Sequence, residues 1–355
     1  MFPEPWIERA WRAVPRAAFL PEVVWVVDGP TYRPLHRGRE PERWAQLVDD
    51  PGQAVVTQVD DGAPDAAGGD VPTSSVSAPN AVVDMLAELA LQPGQRVLEI
   101  GTGSGFNAAL LAARVGADRV TTLEIDAALA SGARRALLEA GYGGVTALEA
   151  DGERGWAPGA PYDRIVATAS VASVPWAWVE QTGPGGLILA PFRTAFCSHG
   201  LVRLVVSDQG TASGRFVGAT TFMSVRGQRA RPRIDAVFSA ESWDASRRSR
   251  SAVDVDLLGT PHAEFAVGMR MADVAHWAQD GAHWWCGPDS WAFAAGDGTT
   301  YQWGPRDLAD ETAAALDWWD RAGRPELFEF GLTVSEHGHR AWAGDPERGW
   351  ALGVG

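Results

Sequence analysis

The 355-residue chain has no lysine. All thirty of its basic side chains are therefore arginines, set against 45 acids for a formal charge of −15. Alanine and glycine abound, and the pattern reads as the codon bias of a GC-rich genome, not as chemistry. A chain this acidic, with no basic tail, argues against nucleic acid as a partner. Cysteine is nearly absent as well. Cys197 and Cys286 cannot build a disulfide framework, and neither sits in a C-x-x-C or Cys/His metal spacing, so both read as buried thiols and no metal is expected. The seven histidines show no ligand spacing, and His337-Gly-His339 reads as an exposed turn. No apolar run reaches membrane-span length, and the opening MFPEPWIERAWRAVPR lacks the apolar core of a secretory signal. The expectation is a cytoplasmic protein without a membrane partner.

What is present is organised around VLEIGTGSG at residues 97–105. Val97 to Ile100 reads as a buried strand, the glycines as a turn, and Phe106 to Val115 as the following helix. Residues without Cβ let a ligand approach the backbone and tolerate positive φ. The dinucleotide fingerprint G-x-G-x-x-G fails because Phe106 stands where its last glycine belongs. What remains, acid-x-G-x-G-x-G with Glu99 ahead of Gly101, Gly103 and Gly105, resembles the first motif of AdoMet-dependent methyltransferases with a Rossmann-like sheet. The next strand ends in Glu124, spaced to accept hydrogen bonds from two ribose hydroxyls, with Ile125 beside it.

In chain order, Trp6, Ile7, Ala10, Trp11 and Val14 recur at helical spacing up to Pro15. Residues 49–72, rich in Asp, Gly, Pro and Ala, read as a solvated loop or flap holding a short strand at Ala54–Gln58. A helix follows with Val82, Val83, Leu86 and Leu89 on its apolar side. Helix 127–140 ends at Gly141. Strands are expected at 145–150, 165–169, 185–191, 201–206 and 216–222, and a short helix at 176–181.

Four ordered segments resemble the protein-L-isoaspartate O-methyltransferase family. They are Val14-Pro-Arg-Ala-Ala-Phe-Leu-Pro21, Val76-Ser-Ala-Pro79, the glycine turn, and Ala150-Asp-Gly-Glu-Arg-Gly through Ala160-Pro-Tyr-Asp-Arg-Ile165. The resemblance covers residues 3–223 and implies S-adenosyl-L-methionine as cofactor. It places Ser77 beside the methyl donor and the acceptor carboxylate, as cofactor contact and catalytic residue. It makes Glu99, Gly101, Thr102, Gly103, Gly105, Glu124 and Ile125 cofactor-binding, and sets Asp151 with Gly152 against the adenine amino group. The family's usual G-Q-T before the serine is replaced by Pro72-Thr-Ser-Ser75, and Asn80 stands where His or Tyr is common, so the acceptor side of the site has changed.

Residues 226–355 hold ten of the seventeen tryptophans. Strands around Trp284–Cys286, Trp291–Phe293 and Tyr301–Trp303, a helix over 306–321 and a hairpin across Gly338 suggest a small α+β unit. Thr57–Asp60, Pro72–Ser75, Asp289–Ala292 and Phe330–Val334 resemble the branch that accompanies ATP-grasp peptide maturases, the graspetide systems. The expectation is thus an α/β Rossmann-like AdoMet methyltransferase sheet with helices on both faces, over residues 1–225. A Trp-rich α+β peptide-substrate domain would follow over 226–355. The resemblance implies methylation of an aspartate carboxylate in a macrocyclic, acid-rich peptide, leading to an aspartimide (succinimide) or isoaspartate, with an ATP-grasp ligase as a possible partner. Isoaspartate repair and a non-catalytic AdoMet-binding peptide adaptor are the alternatives. Seven arginines within 226–250, against three acids, would draw an acidic peptide.

Overall fold

Alternating apolar residues on successive strands place one sheet at the centre of the protein, with a helical layer on each of its faces. The computed structural model describes residues 2–65 and 68–353. Helix α1 (Pro5–Ala13) buries Trp6, Ile7 and Ala10, and the chain leaves the helix at Val14, ahead of Pro15. Strands β1 (Val23–Asp28) and β2 (Thr31–His36) form a hairpin, and α2 (Pro41–Asp49) follows. The stretch expected to be a solvated flap carries β3 (Val55–Val59), and β4 (Pro72–Val76) directly precedes the serine segment. These four strands make an antiparallel sheet of order β2-β1-β3-β4, in which β4 is an edge. Helix α3 (Pro79–Glu88) leads into the central sheet.

That sheet begins with β5 (Val97–Ile100), α4 (Phe106–Val115), β6 (Val120–Glu124), α5 (Ala127–Glu139), β7 (Thr146–Glu149), β8 (Tyr162–Ala167), α6 (Trp176–Gln181) and β9 (Thr182–Pro191). β5 lies between β6 and β8, all parallel, so the chain reverses direction across the sheet there. Ligands of open α/β sheets bind at this kind of switch point, beyond the carboxyl ends of the strands. Strands β10 (Leu201–Val206) and β11 (Ala212–Gly218) continue it antiparallel.

After β11 the chain makes a long excursion through α7 (Ile234–Val237), α8 (Ala240–Asp244), β12 (Arg247–Arg250), α9 (Val255–Leu258) and α10 (Pro261–Arg270). It goes on through β13 (Ala275–Gln279), β14 (Ala282–Cys286), β15 (Trp291–Ala294), β16 (Thr299–Trp303) and α11 (Leu308–Arg321). β12 to β16 form a separate five-stranded sheet that uses many of the tryptophans. The closing hairpin, β17 (Phe330–Ser335) and β18 (Gly338–Ala343), with β19 (Trp350–Ala351), does not stay in that unit. β17 pairs with β11, so the central sheet has ten strands in the order β19-β18-β17-β11-β10-β9-β8-β5-β6-β7. The expected division at 225/226 is therefore not a division of the sheet.

Leu98, Ile100, Ile165 and Ile188 face one core, which also takes Trp178 of α6, Phe265 of α10 and Leu316 of α11. Val97, Val166 and Leu187 face the other, with α1, α3 and α4. Helices on both faces are thus present as expected. His339, expected in an exposed turn, is only 9% exposed and accepts a hydrogen bond from the Val174 N–H at its Nε2, 3.1 Å away. Phe330 of the returning strand is fully buried, with its ring centroid 5.4 Å from that of Phe265. Phe330→Ala should cost about 3–5 kcal/mol in denaturant unfolding. The loss should appear in the transition that unfolds the glycine-turn region; a separate transition confined to the carboxy-terminal part would contradict one shared core.

Candidate active site

Beneath the glycine turn lies a fully buried carboxylate. Glu99 on β5 accepts from Thr122 Oγ1 of β6 at 2.6 Å and from Asn107 Nδ2 of α4 at 2.7 Å. Thr122 in turn shares a 2.7 Å hydrogen bond with Thr102 Oγ1 in the turn. Burial, opposed by these two hydrogen bonds and reinforced by the nearby Glu124 charge, pushes the Glu99 carboxyl up to about 7. One side chain thus ties together two strands, the turn and the helix after it. Above it, Gly101 and Gly103 have φ of +93° and +53°, a conformation that residues with a Cβ rarely adopt.

Glu124, 8% exposed at the end of β6, accepts from the Gly103 N–H at 2.8 Å and the Asp126 N–H at 3.1 Å. Burial raises its pKa, against those two hydrogen bonds. Asp151, at the end of β7, accepts from the Glu153 N–H at 3.0 Å, and Trp178 Nε1 holds the Gly152 carbonyl at 2.8 Å. A Cβ on Gly152 would lie 2.4 Å from Ile100 Cγ2, so only glycine lets this turn close against β5.

The opposite wall is the end of β4 and the Ser77 segment, held from below by Arg16 of the Val-Pro-Arg motif. Arg16 is 7% exposed, and its guanidinium donates to the carbonyls of Val48 (2.7 Å), Gln53 (3.0 Å), Val76 (3.3 Å) and Ser77 (3.1 Å). Ser77 is not the cap of α3; that position is Ala78, with no side-chain cap bond.

Between the walls is a cavity of about 450 Å³, within the range of small-molecule sites. Ser77, Gly101, Thr102, Gly103, Glu124, Ile125, Asp151 and Gly152 all line it. Two expected contact residues do not. Glu99 lies beneath the turn instead of facing the cavity, because its oxygens are engaged by Thr122 and Asn107. Gly105 faces α5, where a Cβ would sit 3.2 Å from Leu137 Cγ, so it serves helix packing.

A third side went unread in the sequence. Thr221 to Arg226 and Arg229 also line the cavity. This strap is fastened at several points. Arg226 pairs with Asp126 at 2.7 Å and Asp61 at 3.2 Å, and Arg229 pairs with Asp61 at 2.8 Å. Gln58 Nε2 reaches the same Asp126 carboxylate at 3.1 Å. Gln228 accepts from the Ala172 and Ser173 N–H groups at 2.7 and 2.9 Å and donates to Glu153 at 2.7 Å. Arg193, buried, donates to the Gln228 carbonyl. The arginines expected to form an open basic patch are thus partly committed: Arg233 pairs with Asp235 and Arg247 with Asp307, in addition to the two on the strap.

Residues 63–230 match the family described as Protein-L-isoaspartate(D-aspartate) O-methyltransferase. A protein-L-isoaspartate O-methyltransferase of Pyrococcus horikoshii is 36% identical over 154 residues, 43% of this chain and 70% of the relative. The chain belongs to the protein-L-isoaspartate O-methyltransferase family. One of Ignicoccus hospitalis is 39% identical over 137 residues, 38% of this chain, and the match spans 65% of that relative's length. A solved structure named protein-L-isoaspartate O-methyltransferase superposes with a TM-score of 0.56 at 20% identity, covering 96% of both chains. The Rossmann-like methyltransferase fold is therefore shared. That superposition takes in the carboxy-terminal part of the chain as well.

Two tests follow from these walls. Arg16→Lys keeps the charge but cannot span four carbonyls. Amide exchange across residues 74–81 should rise at least about tenfold, corresponding to ~1.4 kcal/mol and the scale of one charged hydrogen bond, while 97–105 stay protected. Unchanged exchange at 74–81 would remove Arg16 from this role. For Glu99, the ordinary value is 4.5 and the folded value about 7. Between them the folded state holds more protons than the unfolded one, so stability should fall as pH rises through that window and level off above it. Glu99→Gln should flatten the thermal midpoint between pH 5 and 7.5, with a residual slope of the same sign from Glu124; an unaltered slope would refute the assignment.

Proposed function

We propose that the protein transfers a methyl group from AdoMet to the side-chain carboxylate of an aspartate-derived residue in a peptide. The observation that carries this is one cavity lined by Ser77 on one wall and by Glu124 and Asp151 on the other, inside the span that matches the family. The residues suit the cofactor. Glu124 spends two hydrogen bonds on backbone N–H groups, and a carboxylate has about four lone-pair sites, leaving acceptors for ribose hydroxyls. Gly101 and Gly103 leave their backbone bare beside the cavity, and Asp151 with Gly152 stands at the next strand end. AdoMet, when bound, supplies an electrophilic methyl group on sulfur.

A carboxylate acceptor is already ionised at neutral pH, so the site needs no general base. Its work is to hold the acceptor oxygen in line with the bond being broken and to exclude water. Ser77 orients that oxygen, Arg16 holds the Ser77 backbone, and the strap covers the third side. The ester product carries methoxide as leaving group. The following backbone nitrogen can attack the ester carbonyl, forming the imide C–N bond, breaking the C–O bond and releasing methanol with the nitrogen's proton.

Within this reading the acceptor is an aspartyl residue of a ligase-cyclised, acid-rich peptide, giving an aspartimide or its hydrolysed isoaspartyl product in the cytoplasm. The changed acceptor wall supports it, since Pro72-Thr-Ser-Ser75 forms an edge strand along the cavity where G-Q-T is usual. Isoaspartate repair is the second reading, favoured by the names of the curated relatives. An adaptor role has no comparable support, because both cavity walls are intact.

Glu124→Ala should weaken AdoMet binding by about 1.5–3 kcal/mol in calorimetric titration, whereas Ser77→Ala should spare it; equal affinities would take Glu124 out of the ribose site. Mass spectrometry with AdoMet then separates the acceptors. A cyclised aspartyl precursor should gain one methyl and then lose methanol, ending one water lighter than it began. Its linear form should react poorly, because ordering a free chain costs roughly 1–2 kcal/mol per residue. Efficient methylation of a linear isoaspartyl peptide alone would establish repair instead, and no mass change in any peptide would leave only the adaptor.

A further inference from the structure

Outside the methyl-transfer cavity, the fold brings together three donors that the sequence keeps apart. Cys197 and His199 lie in the 192–200 connection between β9 and β10, and Glu264 lies in the first turn of α10. One ligand atom from each falls within 4.8 Å of the other two. Cys197 Sγ is 3.5 Å from His199 Nδ1 and 3.7 Å from its Nε2. The sulfur–nitrogen separation is that of two donors around a tetrahedral ion bound at about 2.0–2.3 Å.

The two elements are held against each other by packing that does not depend on these side chains. A Cβ on Gly268 of α10 would sit 2.8 Å from Cys197 Cβ, and one on Gly200 would sit 3.2 Å from a Phe265 ring atom. The connection itself is pinned by the Thr194 N–H to the Cys197 carbonyl at 2.8 Å and the Cys197 N–H to Thr194 Oγ1 at 2.9 Å. Among the described residues, no arginine or hydrogen-bond donor engages the half-buried Glu264 carboxylate within bonding distance, and the His199 ring is hydrogen-bonded to Cys197 alone. Half-buried carboxylates are ordinarily paired or hydrogen-bonded.

We propose that Cys197, His199 and Glu264 form a binding site for a divalent cation of the zinc class. A thiolate, an imidazole and a carboxylate together suit zinc and disfavour magnesium or calcium, which prefer all-oxygen sites. Binding forms a metal–sulfur bond and releases the thiol proton to solvent, and thiolate plus carboxylate then balance the 2+ charge. Three protein ligands leave the fourth position to water. The site would clamp α10, on the excursion, to the β9–β10 connection of the central sheet. None of the three residues lines the methyl-transfer cavity, so this site stands or falls apart from the activity proposed above.

Untagged full-length protein, stripped with a chelator and titrated with Co²⁺ as probe, should take up one equivalent. A thiolate-to-cobalt charge-transfer band should appear in the near ultraviolet and vanish on adding Zn²⁺. Cys197→Ser should abolish the band, Cys286→Ser should keep it, and Glu264→Gln should weaken uptake at least about tenfold. The glutamate variant keeps the test independent of the buried position, because Zn²⁺ should raise the thermal midpoint of the parent more than that of Glu264→Gln. Absence of stoichiometric uptake, a band that survives Cys197→Ser, or equal thermal shifts would overturn the site.

Discussion

A buried carboxylate with no cation beside it is costly, and in this protein the centre of the site is built on one. Glu99 is tolerated because Thr122 and Asn107 donate to it, and those bonds exist only when β5, β6 and α4 are in register. The glycine turn gains its shape from the same network through Thr102. An unpaired buried acid destabilises every arrangement that lacks its donors, so the network selects one conformation of the turn more than it adds net stability. The Glu124 carboxylate, the Asp151 turn and the bare backbone of Gly101 and Gly103 take their positions from that choice.

The other wall is organised by a cation whose hydrogen bonds go to main-chain carbonyls, with the charges of Asp49 and Asp50 nearby. Arg16 lies among four main-chain carbonyls, and its planar fork gathers the end of α2, the loop before β3 and the Ser77 segment. The two walls therefore have opposite electrostatic logic, an acid held by hydroxyl and amide donors behind one and a guanidinium held by carbonyls behind the other. Between them runs the strap, whose arginines pair with Asp61 and Asp126, one from each side.

The strand, turn and helix around residues 97–115 were legible because their signals are local: apolar runs, alternate glycines and a spaced acid. Glu124, Asp151 and Ser77 were legible from ordered motifs, and the cavity unites them. Glu99 and Gly105 belong to the same motif but act beneath and behind the turn, and periodicity does not say which way a residue faces when both faces are buried. Arg16 was visible as a motif letter without a role, since backbone carbonyls carry no side-chain signature. The ion pairs of Arg226 span 100 residues to Asp126, and the pairing of β17 with β11 spans over a hundred. Such contacts are set by topology. The helix-like and strand-like patterns of residues 226–355 were read correctly in kind, while the membership of the last hairpin in the central sheet was not.

The chain leaves the central sheet after β11 and returns on β17, which is the strand beside it. Residues between them thus form, in topological terms, a very long hairpin loop whose two ends are already neighbours. Loop-closure cost grows only with the logarithm of length, so the great length of this span adds little entropic cost to the pairing of β11 with β17. The span is not a free appendage: its first residues are the strap on the cavity, and Phe265 of α10 and Leu316 of α11 pack in the core of the sheet. A change in this one continuous stretch of chain is therefore felt at two places, the edge of the sheet and the third side of the cavity.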